Sequence, residues 1–597
     1  MSESVRPTDL AAVDLAAVDQ LAAAFAERDG QPGLAYGVVA GGVLAHSGGL
    51  GERWLGGPRP DAGTVFRIAS MTKSFTASLI LLLRDAGRLR LDDVAEDYVD
   101  ELRGLRMPSS DCPRITIRQL LTMTAGFPTD DPWGDRQQGL PAEDFARLLK
   151  DGVRVGWAPG TRFEYSNLGY ATLGKVIEAV TGGDYAAAVG GQLLRPLGLT
   201  RTGYEIREFD PAQVARGYQR DGGGWRELVP DPYGAFAPMG GVFSTVADLA
   251  QWVAGFADAF PPRDGGGQHP LSRASRREMQ LPQIAIVSPA AGTFPGHSTA
   301  SYGFGLFIEE DPALGTIVQH SGGYPGYGSQ MRWHPATGIG TIVLGNGTYA
   351  PVGQLASRLL AEILSQLHAN GAGVTAAGDR HGSVVGPAPA GSPWPQTRAA
   401  RAEVDELLQA WDDEAATKLF APNVAWDQSF ADRRSSIAEV RKRIGAFQPD
   451  PGRAPEYDSP AHCRWWLRGD RGTVQVEIGL APLVDPLVQS LRLALPPAPG
   501  SGLLRLLDSL IGLINDGSAQ WPDWLPAAAD VDTTKLMRQL RVAAAWAGRC
   551  SAGAFRSGDG ETRTSVELEG QSGRAVLAIL VDEAGETLRQ ADITLLS

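Results

Sequence analysis

Lysine is almost missing from this sequence: there are six (Lys73, Lys150, Lys175, Lys418, Lys442 and Lys535) among 597 residues. Arginine makes up the rest of the 54 basic residues, against 68 acidic ones, for a net charge of −14. An acidic chain without a basic block argues against a nucleic-acid or anionic-membrane partner. Cysteine is scarcer still. Cys112, Cys463 and Cys550 are far apart and odd in number, which speaks against a disulfide framework or a C-x-x-C metal site and for buried, inert thiols. No two histidines have the i, i+4 spacing of a zinc helix, so neither a metal nor a cofactor is expected. No stretch of about 18 apolar residues runs without a charge or a Gly/Pro cluster. The N-terminus carries Glu3, Asp9, Asp14 and Asp19 and lacks the basic-then-apolar order of a signal peptide, so a cytoplasmic location is expected. What is present is 43% apolar against 20% charged residues, enough for large cores. At roughly 100–200 residues per domain the length suggests three or four domains.

The pattern along the chain predicts an α+β catalytic domain over 1–370, with an antiparallel sheet flanked by helices and a helical subdomain. An amphipathic helix covers 11–26. Runs 34–40 and 43–50 around Gly41-Gly42 read as a hairpin. Residues 72–85 (TKSFTASLILLLRD) form a strongly apolar helix, and helical or loop-rich sequence continues to about 290. Runs 301–309, 315–321, 328–334 and 338–346 read as antiparallel strands, closed by a helix over 352–368. A hairpin at one end and strands at the other imply one sheet assembled from both ends. Residues 371–398, rich in Gly, Ala and Pro, read as a linker.

Beyond the linker, 399–500 and 501–597 read as two small α+β modules, each a helix on a curved antiparallel sheet. Helices are expected over 402–420 and 503–516. Strands are expected over 473–480 and 488–495, and again in the closing RTSVELEG, AVLAILVD and LRQADITLL runs. At an offset of 101 residues Leu467, Gly469, Gly472, Ile478, Leu487 and Gln489 match Leu568, Gly570, Gly573, Ile579, Leu588 and Gln590, which suggests a repeat.

Chemistry enters with Ser70-Met71-Thr72-Lys73 at the head of the apolar helix. Residues i and i+3 share a helix face, so the Lys73 amine can approach Ser70 Oγ. Burial would lower the lysine pKa and let it accept the serine proton. By itself the tetrad fits a capping serine beside a surface lysine better than a catalytic pair.

Further phrases follow in order: VFRIASMTKSFTA (65–77), LLTMTAGFP (120–128), FEYSNLGY (163–170), GGVFSTVADLAQW (240–252), HSGG (320–323) and GTIVLGNGTY (340–349). Together they resemble the serine β-lactamase and penicillin-binding superfamily, in its class C β-lactamase, D-aminopeptidase and esterase branch. The resemblance implies that Ser70 is the acylated nucleophile, Lys73 its activating partner and Tyr165 the tyrosine that shares proton transfer. It further implies that Asn167 binds the substrate's acyl amide, that His320 stands where relatives have the K-T-G lysine, and that Gly323 supplies an oxyanion N–H opposite that of Ser70. Tyr324 and Tyr327 are candidates for the acyl pocket, Met123 and Ala125 read as structural, and Glu164 as a solvated carboxylate.

With His320 in place of a lysine, carboxylate recognition depends on an imidazole. That favours a small ester, or an amide with a free amine, over a β-lactam or a D-Ala-D-Ala peptide. Acyl transfer, as in peptide-cyclising thioesterases, and a non-catalytic scaffold are the other readings. The C-terminal modules, similar to cystatin or nuclear-transport-factor folds, are read as a lid, a surface for homo-oligomer formation or a modulator of access to the cleft.

Overall fold

In the computed structural model the described residues are 13–369 and 392–596, apart from short segments at 222–223, 266, 268, 287–298, 312–313, 452, 496–498, 518–519, 529–530, 559 and 583–584. The chain divides into two compact units. One comprises Met1–Ser392 with the loops Ser459–Ala461 and Leu480–Leu487, and the other holds the remainder.

The first unit opens with helix α1 (Leu15–Asp29), capped by Asp14, whose carboxylate accepts from the Ala16 and Ala17 N–H groups. Strands β1 (Gly33–Ala40) and β2 (Val43–Gly51) follow as the expected hairpin. The apolar run forms α2 (Thr72–Asp85), and helices α3 (Asn167–Thr181) and α4 (Val246–Ala257) lie in the long insertion. The chain then returns to the sheet as β3 (Ile284–Ile286), β4 (Thr299–Tyr302), β5 (Phe307–Asp311), β6 (Gly315–Tyr324), β7 (Tyr327–His334) and β8 (Ile339–Gly345), and ends in α5 (Val352–Ala369). The eight strands run antiparallel in the order β2-β1-β8-β7-β6-β5-β4-β3. β1 pairs with β8, Leu34 opposite Gly345, so the two ends of the unit do close one sheet around the insertion.

Two details differ from the pattern-based expectation. The 301–309 run is not one strand: a turn in which the Gly303 N–H reaches the Leu306 carbonyl at 2.8 Å splits it into β4 and β5. The edge strand β3 lies in sequence read as helical or loop-rich, because three residues are too few to show a period.

Both faces of the sheet are covered. Alternate residues of β1 (Leu34, Tyr36, Val38 and Ala40) pack with Val18 and Phe25 of α1 and with Leu355, Leu359 and Ile363 of α5. On the other face α4 packs against β1 and β8, with Val246 filling the space above Gly37. Behind α4 lies α2, buried nearly all round. The Trp252 ring of α4 stacks on Phe75 of α2 at 4.0 Å and 6°, and its indole N–H donates to Ser74 Oγ at 3.1 Å. That contact fixes the helix that carries Ser70 and Lys73 relative to the sheet.

In the second unit the expected helix over 402–420 is two, Pro395–Gln409 and Asp413–Leu419. The break comes at Asp412, whose carboxylate accepts from the Ala415 N–H and caps the second helix. Pro395 also begins a helix inside the range read as linker; residues 371–391 lie outside the described residues. Two antiparallel sheets follow, one with the strand path Phe447–Pro449, His462–Gly469, Gly472–Leu480 and Val488–Ala494, the other with Cys550–Gly558, Arg563–Gly570, Arg574–Val581 and Leu588–Leu596. Three of the six matched pairs fall at corresponding places: Leu467 and Leu568 are buried on second strands, Ile478 and Ile579 on third strands, and Gly469 and Gly570 end the second strands, whereas Leu487 is exposed before its strand and Leu588 buried within one.

Trp252→Ala removes the stacked ring and a buried hydrogen bond, and is expected to cost about 3–5 kcal/mol of stability. Trp252→Phe, which keeps a ring on Phe75, is expected to cost clearly less. Urea unfolding of the three proteins checks both.

Candidate active site

Ser70 sits in a single 3₁₀ turn, Ala69–Met71, immediately before α2. The turn is strained, because Ala69 adopts a left-handed φ of 48°. It is clamped by β7, where Ser329 Oγ donates to the Ile68 carbonyl at 2.7 Å. β6 passes so close that a Cβ on Gly322 would lie 2.2 Å from the Ile68 oxygen and 2.3 Å from Ser329 Oγ, so only glycine fits there. β5 pairs with β6 only from Gly315 to Gln319. From His320 to Tyr324, among the described residues, β6 has a bare edge on that side, and β6 packs against the serine turn.

Lys73 lies on the first turn of α2 and is fully buried. Its Nζ has three neighbours: Ser70 Oγ at 2.8 Å, Asn167 Oδ1 at 2.7 Å and the Met239 carbonyl at 2.9 Å. Burial lowers its pKa to about 8, opposed by the negative charges of Asp131, Asp135 and Asp130. Two of the three neighbours can only accept. A neutral amine therefore spends its two N–H bonds on Asn167 and Met239 and turns its lone pair to the Ser70 hydroxyl.

Tyr165 hydrogen-bonds Ser70, and its ring centroid lies 4.8 Å from Lys73 Nζ. Burial, with the nearby carboxylates, raises its pKa well above 10, so it stays a phenol. Asn167 is the first residue of α3. Its backbone N–H donates to Asp130 Oδ1 at 2.7 Å and the Leu168 N–H to Asp130 Oδ2 at 2.8 Å. The buried Asp130 thus caps the helix beside Ser166, and burial lifts its pKa to about 7. The Asn167 side-chain Nδ2 donates to Asp131 Oδ1 at 2.8 Å.

His320 is 1% exposed, inside a cluster with Tyr302, Phe307 and Tyr165. Its Nδ1 faces the Ser321 carbonyl at 2.6 Å and therefore carries the proton, leaving Nε2 to accept from the Tyr302 hydroxyl at 3.3 Å. Burial first, then the charge of Lys73, lowers its pKa to about 3, so the ring is neutral at working pH. Gly323 sits on the bare edge, opposite Gly328 of β7. The structure thus brings Ser70, Lys73, Tyr165, Asn167 and His320 into one contact network.

Tyr324 and Tyr327 continue β6 and begin β7 just past Gly323. Both are buried, and they line a cavity of about 60 Å³ with Arg67, Arg136 and Asp231, whose wall includes neither Ser70 nor Lys73. The Arg67 guanidinium stacks 4.0 Å from the Tyr324 ring centroid. Glu164 is not the solvated carboxylate expected: Oε1 accepts from the Thr129 N–H at 2.9 Å and Oε2 from the Trp157 indole at 2.5 Å, and burial raises its pKa. It ties down the loop before Tyr165. Met123, with φ 57°, packs its sulfur on the Ser166 N–H.

Asp130, Asp131 and Asp135 were not singled out from the sequence. The phrase TDDPWGD (129–135) reads as a solvated turn. Its one usable signal is an Asp-Asp pair before proline, a pattern suited to accepting backbone N–H groups. Among the described residues no group of three or more His, Cys, Asp or Glu side chains could hold a metal ion, and no helix is long and apolar enough to cross a membrane.

Comparison with known proteins gives a consistent picture. The β-lactamase family model matches residues 18–365, more than half the chain. Protein flp of Staphylococcus aureus strain COL is 31% identical over 192 residues, covering 32% of this chain, and the chain spans only 38% of that relative's length. Human β-lactamase-like 1 is 27% identical over 369 residues, 59% of this chain and 68% of the human protein. Among solved structures, the octameric penicillin-binding protein homologue from Pyrococcus abyssi superposes with a TM-score of 0.55 at 19% identity, over 98% of both chains. That likeness is one of fold.

If Lys73 takes the Ser70 proton, only its neutral form can do so, and the rate at which a fluorophosphonate labels the protein is expected to rise with pH, with a midpoint near 8. It should fall about tenfold for each unit below that midpoint. Intact-mass measurement of labelling rates from pH 6 to 9 checks it, and a flat profile would remove Lys73 as the base.

Proposed function

Since the chain belongs to the β-lactamase family, we propose that it is a serine hydrolase that forms an acyl-enzyme on Ser70 and hydrolyses a small ester, or an amide bearing a free amine. One observation carries the reading: Lys73 Nζ is held between two acceptor-only oxygens with its third neighbour the Ser70 hydroxyl.

In acylation the Lys73 lone pair takes the Ser70 proton as Oγ attacks the substrate carbonyl carbon. The negative charge that develops on the carbonyl oxygen is received by the N–H groups of Ser70 and Gly323, the latter on the bare edge of β6. As the intermediate collapses, the bond to the leaving alkoxide or amine breaks and that group needs a proton. Tyr165 delivers it as a phenol and is reprotonated from the Lys73 ammonium. Its raised pKa makes it a relay that never has to persist as phenolate. Water then attacks the acyl carbon by the reverse route and frees the acid and Ser70.

The substrate class follows from charge. The cationic lysine of the β-lactam-binding relatives is replaced here by the neutral, buried His320. The charges nearest Lys73 are carboxylates: Asp131, Asp135 and Asp130. A substrate carboxylate meets no cation at His320, whereas a neutral ester or a free amine is compatible with the acidic surroundings. A cytoplasmic setting and self-association through the C-terminal modules belong to the same proposal. The unpaired thiols of Cys112, Cys463 and Cys550 suit a reducing compartment.

Fluorophosphonate labelling of wild type but not Ser70→Ala is the primary test, and equal labelling of both would sink the nucleophile assignment. With a p-nitrophenyl ester, a D-amino-acid anilide, a chromogenic cephalosporin and a peptidyl thioester, turnover of the first two is expected, and Ser70→Ala should lose at least about 10³-fold in kcat. Rapid cephalosporin hydrolysis without ester hydrolysis would instead establish a β-lactamase, and acyl transfer from the thioester a transferase. A wild type inert to every probe would leave a scaffold.

A further inference from the structure

The Asn167 side-chain amide stands between two charged groups: its oxygen accepts from Lys73 Nζ at 2.7 Å and its nitrogen donates to Asp131 Oδ1 at 2.8 Å. An amide can rotate by 180° about its terminal bond and exchange O for N. If it did so here, an NH₂ group would face Nζ, and the lysine lone pair would turn to it and away from Ser70. With Lys73 in the neutral form that acylation needs, nothing within the Lys73–Asn167 pair forbids the exchange. The Asp131 carboxylate does, because it accepts only and cannot be satisfied by an amide oxygen.

We propose that Asp131 is a positioning residue for the acylation step: by holding the Asn167 nitrogen it fixes the Asn167 oxygen on Lys73 and so keeps the lysine lone pair directed at Ser70. The inference rests on the serine-hydrolase reading of the site. Asp131 is exposed at the first turn after Asp130, and its fold-bearing neighbour is Asp130, which caps α3. Removing the Asp131 carboxylate therefore leaves the helix cap intact.

Its charge acts in the same direction as its hydrogen bond. The titratable groups around Lys73 are Asp130, Asp131 and Asp135 from the 129–135 loop, Tyr165 before α3, Tyr170 within it, and His320 on β6. His320 is neutral, the tyrosines stay protonated, and Asp131 leads the charges that hold the Lys73 pKa up against burial. Loss of that charge lowers the pKa.

Two substitutions separate the effects. Asp131→Asn removes the charge and keeps a partner for Asn167, but one that can donate as well as accept and so only weakens the lock, whereas Asp131→Ala removes charge and partner together. With only six lysines in the chain, protein labelled with [ε-¹³C]lysine gives six signals, and Lys73→Arg assigns the one of interest. In both variants the Lys73 titration is expected to move down by roughly 0.5 to 1 pH unit. The high-pH fluorophosphonate labelling rate is expected to fall about 10- to 100-fold in Asp131→Ala and by less, about 3- to 10-fold, in Asp131→Asn, where an amide still partners Asn167 but tolerates both of its orientations. A Lys73 titration that does not move, a wild-type rate in Asp131→Ala, or an equal loss in both variants would overturn the proposal. Failure of wild type to label would overturn the hydrolase reading separately, since the Lys73 titration is read without any reaction.

Discussion

A primary amine sealed from water must be solvated by the protein, and Lys73 is the group around which this site is arranged. Its charged form is disfavoured by burial and favoured by three carboxylates, and the balance leaves the pKa at about 8. Neither force alone would serve. Burial without the acids would leave an amine too weakly basic to take a serine proton, and the acids without burial would leave it an ammonium. The three elements that meet at Nζ come from distant parts of the chain: the first turn of α2, the first residue of α3 and the carbonyl of Met239. The packing that fixes them, Trp252 on Phe75 and Asp130 on the start of α3, is thereby part of the chemistry.

The same economy explains the aromatic cluster. Tyr302, Phe307 and Tyr165 enclose His320 so thoroughly that a second cation beside Lys73 is suppressed. A protonated imidazole there would lower the lysine pKa further and give the site a positive field. With a neutral ring, the field in the cleft is set by Lys73 and the 129–135 carboxylates, and Tyr165 stays a phenol.

Much of this was legible in the sequence, for a physical reason. Helix α2 follows from Phe75 and Ala77 leading into the apolar run 79–83, the β1–β2 hairpin from two β-rich runs around Gly41-Gly42, and the sheet closed from both ends from where the strand patterns lie. Ser70, Lys73, Tyr165, Asn167 and His320 stand in local phrases, so order along the chain was enough to nominate them. The parts that escaped depend on approach in space. Asp130 and Asp131 look like turn carboxylates until α3 brings its N–H groups to them. Glu164 looks solvated until Thr129 and Trp157 close over it. The neutrality of His320 comes from rings on three separate segments. The turn at Gly303–Leu306 and the helix break at Asp412 were missed because each depends on a single local hydrogen bond inside a run whose composition suits a longer element.

The serine itself shows why such a site can be held in place at all. Ala69, a residue with a Cβ, occupies the left-handed region at a cost of about 1–3 kcal/mol. That strain would relax if the turn were free. It is not, because Ser329 holds the Ile68 carbonyl, the Ile68 N–H donates to Val242, and β6 crosses above with no Cβ at Gly322. Two strands and the Val242 carbonyl thus restrain the residue that enters the turn, which holds Ser70 beside Lys73. The strain is thus confined to the residue before Ser70, and the sheet, which has cores on both faces, is what keeps it there.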